Sequence, residues 1–363
     1  MARSLQILAG KRAFQHLKEH GLRAQDVKMI LGASGGPKWF VLSRLDQYLN
    51  SKFLSQANQP IQLVGSSIGA WRMACYAESD PKSAILRLEQ SYLHQRYPRK
   101  ASGAVVSANA QTMLEEFLPD SEIDFVLENS NRHLNIVTAR CHGWLEQEYK
   151  PKQLTGFMGS AVANAVSRKM LNRFFERVVF SQHMSDSPYR TLDGIPGRLS
   201  SLNQQNLKSA LLASVSIPVV LEGVQDISGA PNGTYRDGGL LDYHFDLPFR
   251  VENGIILYPH FAPLLKPGWF DKSLRWRGVN ARNYEDVVLL APTAEFIQHL
   301  PYGKIPDRGD FKKIPDNVRE QYWKDAIKQG QRLADDLHEL LHSDRLVVEM
   351  KELIPSRLRS LKR

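Results

Sequence analysis

The segment 61–71, IQLVGSSIGAW, has Ser67 at the centre of a Gly-x-Ser-x-Gly turn, between an apolar run and a stretch of small and apolar residues. The apolar run predicts a buried strand, and the stretch after the turn predicts a helix packed on a sheet. Gly65 and Gly69 fit this turn, because a serine on so sharp a bend leaves little space for side chains two residues away. The sequence therefore predicts a nucleophilic serine in an α/β fold. An ordinary Gly/Ser turn is the alternative.

A second strand, glycine-rich loop and helix come directly before this unit. Residues 27–31 predict the strand, and the loop at 34–38, SGGPK, precedes an apolar helical face. Two such units in succession predict a parallel sheet. The loop is not a phosphate-binding P-loop, because Pro37 and Trp39 stand where a glycine and a Ser/Thr are required.

The same loop suits the stabilisation of an oxyanion. The N–H groups of Gly35 and Gly36, or of Lys38, can act together with the N–H of Ile68 at the start of the later helix. Pro37 has no N–H to donate. We interpret the segment as an oxyanion loop, and a purely structural turn between strand and helix is the alternative.

Hydrophobic periodicity predicts further elements along the chain. Residues 3–20 predict a helix, residues 134–139 a strand and residues 157–176 a helix. The last predicted strand is 254–258, and one long helix is predicted at 316–342. The alternation of strands and helices again favours an α/β fold.

The composition is that of a globular protein with a sizeable core. Of the 363 residues, 42% are hydrophobic and 23% are charged, and the net charge of +9 is spread along the chain. Cys75 and Cys141 do not suggest a disulfide framework, which favours reduced thiols and a cytoplasmic protein.

Several classes of protein are disfavoured by what the chain lacks. The N-terminal residues have no apolar core of a secretory signal, and the longest weakly polar run, at 155–166, is too short to span a bilayer. Zinc-ligand spacing and RNP-type motifs are absent from the sequence, so we expect neither a metal site nor nucleic-acid binding.

A third motif, Asp237-Gly238-Gly239, lies far downstream of the other two. Alone it predicts a turn. In order, however, the glycine-rich loop, the serine elbow and this Asp-Gly-Gly turn resemble the patatin-like phospholipase family over residues 27–258. The resemblance implies a three-layer sandwich with a mostly parallel central sheet flanked by helices. It divides the chain into an N-terminal helix at 1–26, a catalytic domain at 27–260 and a C-terminal helical extension at 261–363.

The resemblance also implies a lipid acyl hydrolase that uses a Ser–Asp dyad and needs no cofactor. In that scheme Ser67 attacks an ester carbonyl, Asp237 takes its proton as general base, and the glycine-rich loop holds the oxyanion. The implied substrates are phospholipids, lysophospholipids or other carboxylic esters. Five positions depart from the family pattern and indicate a divergent member. Ser34 and Trp39 replace glycines, Lys38 replaces an arginine, and Tyr243 and Phe245 stand where the family often has Asn and Pro.

Two other interpretations stay open. The first is a Ser–Asp–His triad, for which His244, His260 and His299 are candidates because they follow Asp237 in the chain. The second is a patatin-like protein without activity that serves as a membrane-associated scaffold. The departures from the family pattern favour this second interpretation, and the retained dyad opposes it.

Three segments are candidates for contact with lipid. The polar loop 181–201 is a candidate lid, and the aromatic and basic stretch 261–277 is a candidate interfacial segment. The basic end, 357–363, can contact anionic head groups. A plain surface loop, core packing and a frayed tail are the respective alternatives. We expect a cytoplasmic protein with peripheral contact to an anionic membrane surface, and the sequence leaves its oligomeric state open.

Overall fold

The structure is a computed structural model that describes residues 3–98, 100–190, 195 and 197–354. Within these residues, eleven strands belong to one sheet. In chain order the strands are β1 Leu5–Ala9, β2 Val27–Gly32, β3 Ile61–Ser66, β4 Arg132–Cys141, β5 Phe175–Ser181, β6 Gly197–Ser201, β7 Val224–Gln225, β8 Thr234–Asp237, β9 Ile255–Pro259, β10 Val287–Pro292 and β11 Lys351–Glu352.

Helices connect and follow these strands. Short 3₁₀ helices at the candidate site span Gly36–Leu42, Gly238–Leu240 and Trp269–Lys272. The α-helices of the described residues are α1 Lys11–His20, α2 Ser43–Tyr48, α3 Ile68–Ala77, α4 Pro81–Leu93, α5 Gly103–Phe117, α6 Asp120–Glu128, α7 Lys150–Val166, α8 Leu207–Val215, α9 Ala294–His299, α10 Asp310–Lys313, α11 Asp316–Gln329, α12 Gln331–Leu341 and α13 Leu346–Glu349.

The sheet is mixed and mostly parallel, with the strand order β11-β1-β10-β9-β2-β3-β4-β5-β6. The central strands β10, β9, β2, β3 and β4 run parallel to one another. Outside this row, β8 pairs antiparallel with β4, and β7 pairs antiparallel with β8. The α/β fold that the two strand–turn–helix units predict is therefore confirmed.

The central strands are covered on both faces. Every residue of β9 and β10 is buried, as are five of the six residues in both β2 and β3. Successive side chains of a strand point to opposite faces, so continuous burial requires packing on both sides. This explains why these strands are continuous apolar runs. Because β2 and β3 run parallel, the turns that follow them lie at the same edge of the sheet.

The prediction of one helix over residues 3–20 was wrong in its first half. Leu5–Ala9 forms strand β1, and helix α1 begins only at Lys11. Strand β1 pairs with β10 and β11, and every second one of its residues is buried. Five apolar-rich residues are too few to separate a period of two from a helical period.

The C-terminal region also differs from its prediction. Residues 254–258 do not form the last strand, because β10 and β11 follow, and β10 lies between β9 and β1. The helix predicted at 316–342 is two helices, α11 and α12, which meet at Gly330. A Cβ atom at Gly330 would lie 2.6 Å from the carbonyl oxygen of Val41, so the backbones are in close contact there. The 261–363 segment therefore adds strands to the sheet as well as helices.

The strand predicted at 134–139 is confirmed within β4, and the helix predicted at 157–176 is shifted. The shifted helix is α7, which begins at Lys150 and ends at Val166. Pro151 suits its first turn, because the N–H that proline lacks has no partner there.

Parts of two candidate lipid segments lie outside the described residues. This applies to residues 191–194 and 196 of the predicted lid and to all of 357–363. Within the described part of the lid segment, β6 pairs with β5 at the edge of the sheet. No described helix is long and apolar enough to cross a membrane. Cys75 and Cys141 are buried free thiols, as the sequence predicts.

Candidate active site

Strand β4 brings the two members of the predicted dyad together. Val137 pairs with Ser66 at the end of β3, and the next residue of β4, Thr138, pairs with Asp237 at the end of β8. Because Ser67 directly follows Ser66, two segments that are 170 residues apart meet at neighbouring positions of one strand. The Ser67 Oγ donates a hydrogen bond of 2.8 Å to Oδ2 of Asp237.

The turn at Ser67 is held by backbone contacts. Ser67 has φ 56° and ψ −134°, a conformation that L-residues rarely adopt. A Cβ at Gly65 would lie 2.4 Å from the Cα of Ala70, and a Cβ at Gly69 would lie 1.8 Å from the carbonyl oxygen of Gly32. The two strand–turn–helix units therefore pack on each other through glycine, which is the geometry expected of a nucleophile elbow.

Ser214, at the end of α8, fixes the amide of the turn. Its Oγ accepts a hydrogen bond of 2.9 Å from the N–H of Ser67 and donates one of 2.7 Å to the carbonyl oxygen of Val137. Ser214 is not part of the predicted site, because it lies 147 residues from Ser67 in the chain. Since the Ser67 N–H is engaged, the N–H of Ile68 is the next donor along the elbow.

Asp237 is buried, and both of its carboxylate oxygens are hydrogen-bonded. Oδ2 accepts from Ser67, and Oδ1 accepts from the N–H of Gly239 at 2.7 Å. Burial raises the pKa of the Asp237 carboxyl, against the lowering effect of the Arg308 charge and of these hydrogen bonds. A carboxylate with a raised pKa is a stronger base than an ordinary aspartate. The geometry therefore allows a proton to pass from Ser67 Oγ to Asp237.

Two glycines follow this carboxylate, and close contacts require both. A Cβ at Gly238 would lie 2.2 Å from the carbonyl oxygen of Val137, and one at Gly239 would lie 2.4 Å from Oγ of Ser34. Ser34 Oγ is also 3.0 Å from Oγ of Ser66 and 3.2 Å from its carbonyl oxygen. The serine at position 34 thus links the glycine-rich loop to the end of β3.

The predicted oxyanion residues lie around Ser67. Gly35, Gly36 and Lys38 line the same cleft as Ser67, whereas Ile68 lines a cavity that adjoins it. Gly36 has φ +57°, which favours glycine. Ile68 is the first residue of α3, where backbone N–H groups have no partner inside the helix. These positions suit the binding of an oxyanion.

Trp39 belongs to the core rather than to the cleft. Its ring stacks on Phe40 with the ring centroids 5.2 Å apart, and it meets Tyr92 edge-on at 6.5 Å. Both of these rings contact Trp323 of α11. Trp39 therefore serves the packing of a C-terminal helix, and the loop at 34–38 stays open to the cleft.

The cleft has a volume of about 380 Å³, and three cations line it. These are Lys38, Lys272 and Arg308, and none of them forms an ion pair with a residue that the structure describes. The Lys272 Nζ lies 3.8 Å from the ring centroid of Tyr243, and the Lys38 Nζ lies 5.1 Å from that of Phe261. The charges are therefore available to an anionic group in the cleft.

Both lysines of the cleft have a lowered pKa. The pKa of Lys272 is lowered to about 7, chiefly by burial and also by the charges of Lys38 and Arg308, although much of the side chain is exposed to solvent. Burial also lowers the pKa of Lys38. Lys272 and Arg308 are not part of the predicted site, because nothing in their local sequence connects them to the serine elbow.

The histidines considered for a triad lie elsewhere. His244 and His260 are buried, and their Nδ1 atoms accept hydrogen bonds from backbone N–H groups after β9. Burial lowers the pKa of both imidazoles, that of His260 to about 3, so both are neutral. His299 is exposed and bonds to a carbonyl of its own helix. Within the described residues, no histidine is hydrogen-bonded to Ser67 or Asp237.

A smaller cavity of about 110 Å³ adjoins the cleft. The two share Ile217 and Arg308. The cavity is lined mainly by apolar and aromatic side chains, among them Ile68, Trp71, Tyr92, Val106, Met113 and Val220. Because Ile68 directly follows Ser67, the cavity begins beside the candidate nucleophile and can hold part of an alkyl chain.

No family model matches the chain, and no curated protein matches its sequence. The chemical interpretation of the cleft therefore depends on its geometry.

Proposed function

We propose that the chain is a lipid acyl hydrolase of the patatin-like type, with Ser67 as the nucleophile and Asp237 as the general base. The observation that carries the proposal is the 2.8 Å hydrogen bond from Ser67 Oγ to Asp237 Oδ2, at a turn that holds Ser67 with φ 56°. The proposal includes a specific fold, a patatin-like three-layer sandwich with helices on both sides of the sheet. The buried, mostly parallel central strands support this fold.

The first half of the reaction forms an acyl-enzyme. Ser67 Oγ attacks the ester carbonyl carbon while its proton passes to Oδ2 of Asp237. The N–H groups of the glycine-rich loop and of Ile68 hold the oxyanion. When the tetrahedral intermediate collapses, the bond from carbon to the alcohol oxygen breaks, and Asp237 gives its proton to that oxygen.

The second half of the reaction uses water. A water molecule attacks the acyl carbonyl and loses a proton to Asp237, and the bond from carbon to Ser67 Oγ then breaks. Asp237 returns the proton to Ser67, and a carboxylic acid leaves. A raised pKa suits this alternation, because the carboxyl group must take up and release a proton in each half.

The surroundings of the dyad favour an ester that has both an apolar acyl chain and an anionic group. The cavity beside Ser67 suits the acyl chain. The charges of Lys38, Lys272 and Arg308, which form no ion pair with a described residue, suit a phosphate or carboxylate group. Phospholipids and lysophospholipids have both features.

Hydrolysis of a short-chain nitrophenyl ester tests the dyad. We expect Ser67→Ala and Asp237→Asn each to lower turnover by about 10³-fold or more relative to wild type. Circular dichroism and thermal unfolding of each variant show whether the fold is retained.

Two results would favour the other interpretations. If Asp237→Asn keeps the wild-type rate while His260→Gln or His299→Gln loses it, the triad is correct. If folded wild type cleaves neither this ester nor any member of a panel of phospholipids and neutral lipids, the hydrolase proposal fails and a scaffold is favoured.

A further inference from the structure

Helix α7 exposes a row of four large apolar side chains. Leu154, Met158, Val162 and Val166 recur every four residues and therefore lie along one side of the helix. Their exposed fractions are 54%, 64%, 67% and 75%. The other side of the helix, which includes Phe157, is buried against the core. Single exposed apolar residues are ordinary, but a continuous row indicates a binding surface.

This row begins at the mouth of the cleft. Leu154 lines the cleft together with Val219 and Trp269, which are also exposed. The Gln153 side chain accepts a hydrogen bond of 2.6 Å from the N–H of Val219. The Asn164 side chain donates one of 2.7 Å to the short helix that carries Trp269. Helix α7 thus holds both neighbours in place, and we call the exposed set the docking face: Leu154, Met158, Val162, Val166, Val219 and Trp269.

The segment that carries most of the docking face is basic. Residues 149–175 contain five basic residues and no acidic residue. Four of the basic side chains are exposed and form no ion pair with a described residue: Lys150, Lys152, Lys169 and Arg173. A surface that is both apolar and positive is complementary to lipid with anionic head groups. It is poorly complementary to a second copy of itself, because like charges would face each other.

We propose that the docking face binds the surface of a membrane that contains anionic lipid. The apolar row enters the boundary between head groups and acyl chains, and the four basic side chains contact phosphate groups. In this orientation the cleft opens against the head groups. The role of that orientation depends on the proposed hydrolase function, but binding is measurable without catalysis.

Co-sedimentation with lipid vesicles tests the proposal. The Ser67→Ala protein, which cannot turn over lipid in the proposed mechanism, is mixed with vesicles of phosphatidylcholine alone or with phosphatidylglycerol. We expect stronger binding to the anionic vesicles. Met158→Gln combined with Val162→Gln should lower that binding at least about tenfold, because two apolar side chains are removed from the interface.

Val348→Gln is the matched control. Val348 is 84% exposed on α13, just before β11 at the opposite edge of the sheet from β6. Its substitution should leave vesicle binding unchanged. With Ser67 intact, the Met158/Val162 double variant should also keep the wild-type rate on a soluble short-chain ester, because neither side chain lines the cleft.

Several outcomes would overturn the proposal. The first is equal vesicle binding by the double variant and its parent, and the second is equal binding to neutral and anionic vesicles. The third is a dimer, seen in size-exclusion chromatography, that forms in the parent but not in the double variant, while the parent binds no vesicles. The last result would assign the face to a second copy of the chain. If no ester is cleaved but vesicle binding still depends on Met158 and Val162, the docking proposal stands and the hydrolase proposal fails.

Discussion

The inner end of the cleft and its rim are built in different ways. At the inner end, Ser67 and Asp237 are fixed by strand register and by glycines that have no room for a Cβ. At the rim, Lys272, Arg308 and helix α7 come from segments between and after the strands, and their side chains reach solvent. The inner end therefore depends on backbone contacts, whereas the rim depends on tertiary packing. Substitutions at the two ends should differ in kind: the inner end should control folding and turnover, and the rim should control the affinity for substrate.

The largest effect is expected where the backbone contact is closest. In Gly69→Ala the new Cβ would lie 1.8 Å from the carbonyl oxygen of Gly32, so α3 has to move away from β2. Alanine is favoured over glycine in a helix by about 1 kcal/mol. Overpacking against backbone costs more, about 3 kcal/mol. We expect urea titration to show this loss of stability and the ester assay to show loss of turnover.

Gly159→Ala in α7 is the matched control for this substitution. The nearest atom to a Cβ at Gly159 would be a ring carbon of Phe174 at 3.5 Å, an ordinary contact. Helix propensity should then dominate and stabilise the protein by about 0.5–1 kcal/mol. If both substitutions change stability equally, close backbone contact is not the reason for glycine at position 69.

Loss of the Ser214 hydroxyl should have the next largest effect. Ser214→Ala leaves the N–H of Ser67 and the carbonyl of Val137 without this partner in a buried site. An unsatisfied buried group costs about 1–3 kcal/mol. Because the elbow would lose a restraint, we expect kcat to fall about 10- to 100-fold with little change in KM.

Ser216→Ala separates this effect from a general loss of a hydroxyl. Ser216, which directly follows α8, is also buried, but among the described residues its Oγ bonds only to the carbonyl of Leu212 in that helix. Its substitution should change kcat less than twofold and stability by less than about 1 kcal/mol. Equal kinetic effects at the two serines would contradict a positioning role for Ser214.

The same contrast explains what the sequence could predict. Gly65, Gly69 and Gly238 are required by close backbone contacts and belong to short motifs, so the serine elbow and the Asp-Gly-Gly turn are recognisable locally. The pairing of β4 with both β3 and β8 is not encoded in any motif, and only the order of the motifs along the chain suggested that Ser67 and Asp237 meet.

The residues at the rim of the cleft belong to no comparable sequence motif. Arg308 reaches the cleft because the C-terminal segment packs over the glycine-rich loop, where a Cβ at Gly36 would lie 2.6 Å from the Arg308 Nε. The exposed apolar row of α7 could not be predicted for a different reason. Its helix was predicted at 157–176, which leaves out Leu154 and separates the row from the cleft. Strand β1 was missed because five residues are too few to define a period.

The raised pKa of Asp237 should have a smaller effect, on thermal stability. The sign of this effect is unusual for an aspartate. Burial raises its pKa in the folded protein, so the folded state binds the proton more tightly than the unfolded state. Stability from this group is therefore fully present below the ordinary value of 3.8 and is lost as the pH rises through the raised folded value. Asp237→Asn should consequently raise Tm at neutral pH, and the gain should shrink as the pH falls toward 3.8, which thermal unfolding at several pH values can measure.

Asp26→Asn is a control for which the expected change in Tm has the opposite sign. Burial tends to raise the pKa of Asp26, but hydrogen bonds from Arg23 and His16 outweigh it and lower the pKa. Its stabilising contribution is present above the unfolded pKa and is lost as the pH falls through the folded value. Asp26→Asn should therefore lower Tm at neutral pH. If Asp237→Asn lowers Tm in the same way, the buried carboxylate is not strained in the folded state.

The smallest effect is expected at the rim of the cleft, where Lys272 should change KM. Lys272 has a pKa of about 7, so it loses its positive charge as the pH rises through neutrality. For a soluble ester that carries a phosphodiester, whose own charge is constant in this range, KM should rise above pH 7 while kcat follows the ionisation of the dyad. Lys272→Met should raise KM about 3- to 10-fold below pH 7, which corresponds to roughly the free energy of one partly exposed ion pair.

Two comparisons decide whether Lys272 acts through charge at the rim. The pH dependence of KM should disappear in Lys272→Met and persist in Lys351→Met, because Lys351 is exposed on β11 at the far side of the sheet. A neutral ester of the same acyl chain should show no change in KM in either variant. If KM for the neutral ester rises as much as KM for the anionic one, Lys272 shapes the cleft instead of binding the anion, and the division between an inner end that sets turnover and a rim that sets affinity would not hold at this residue.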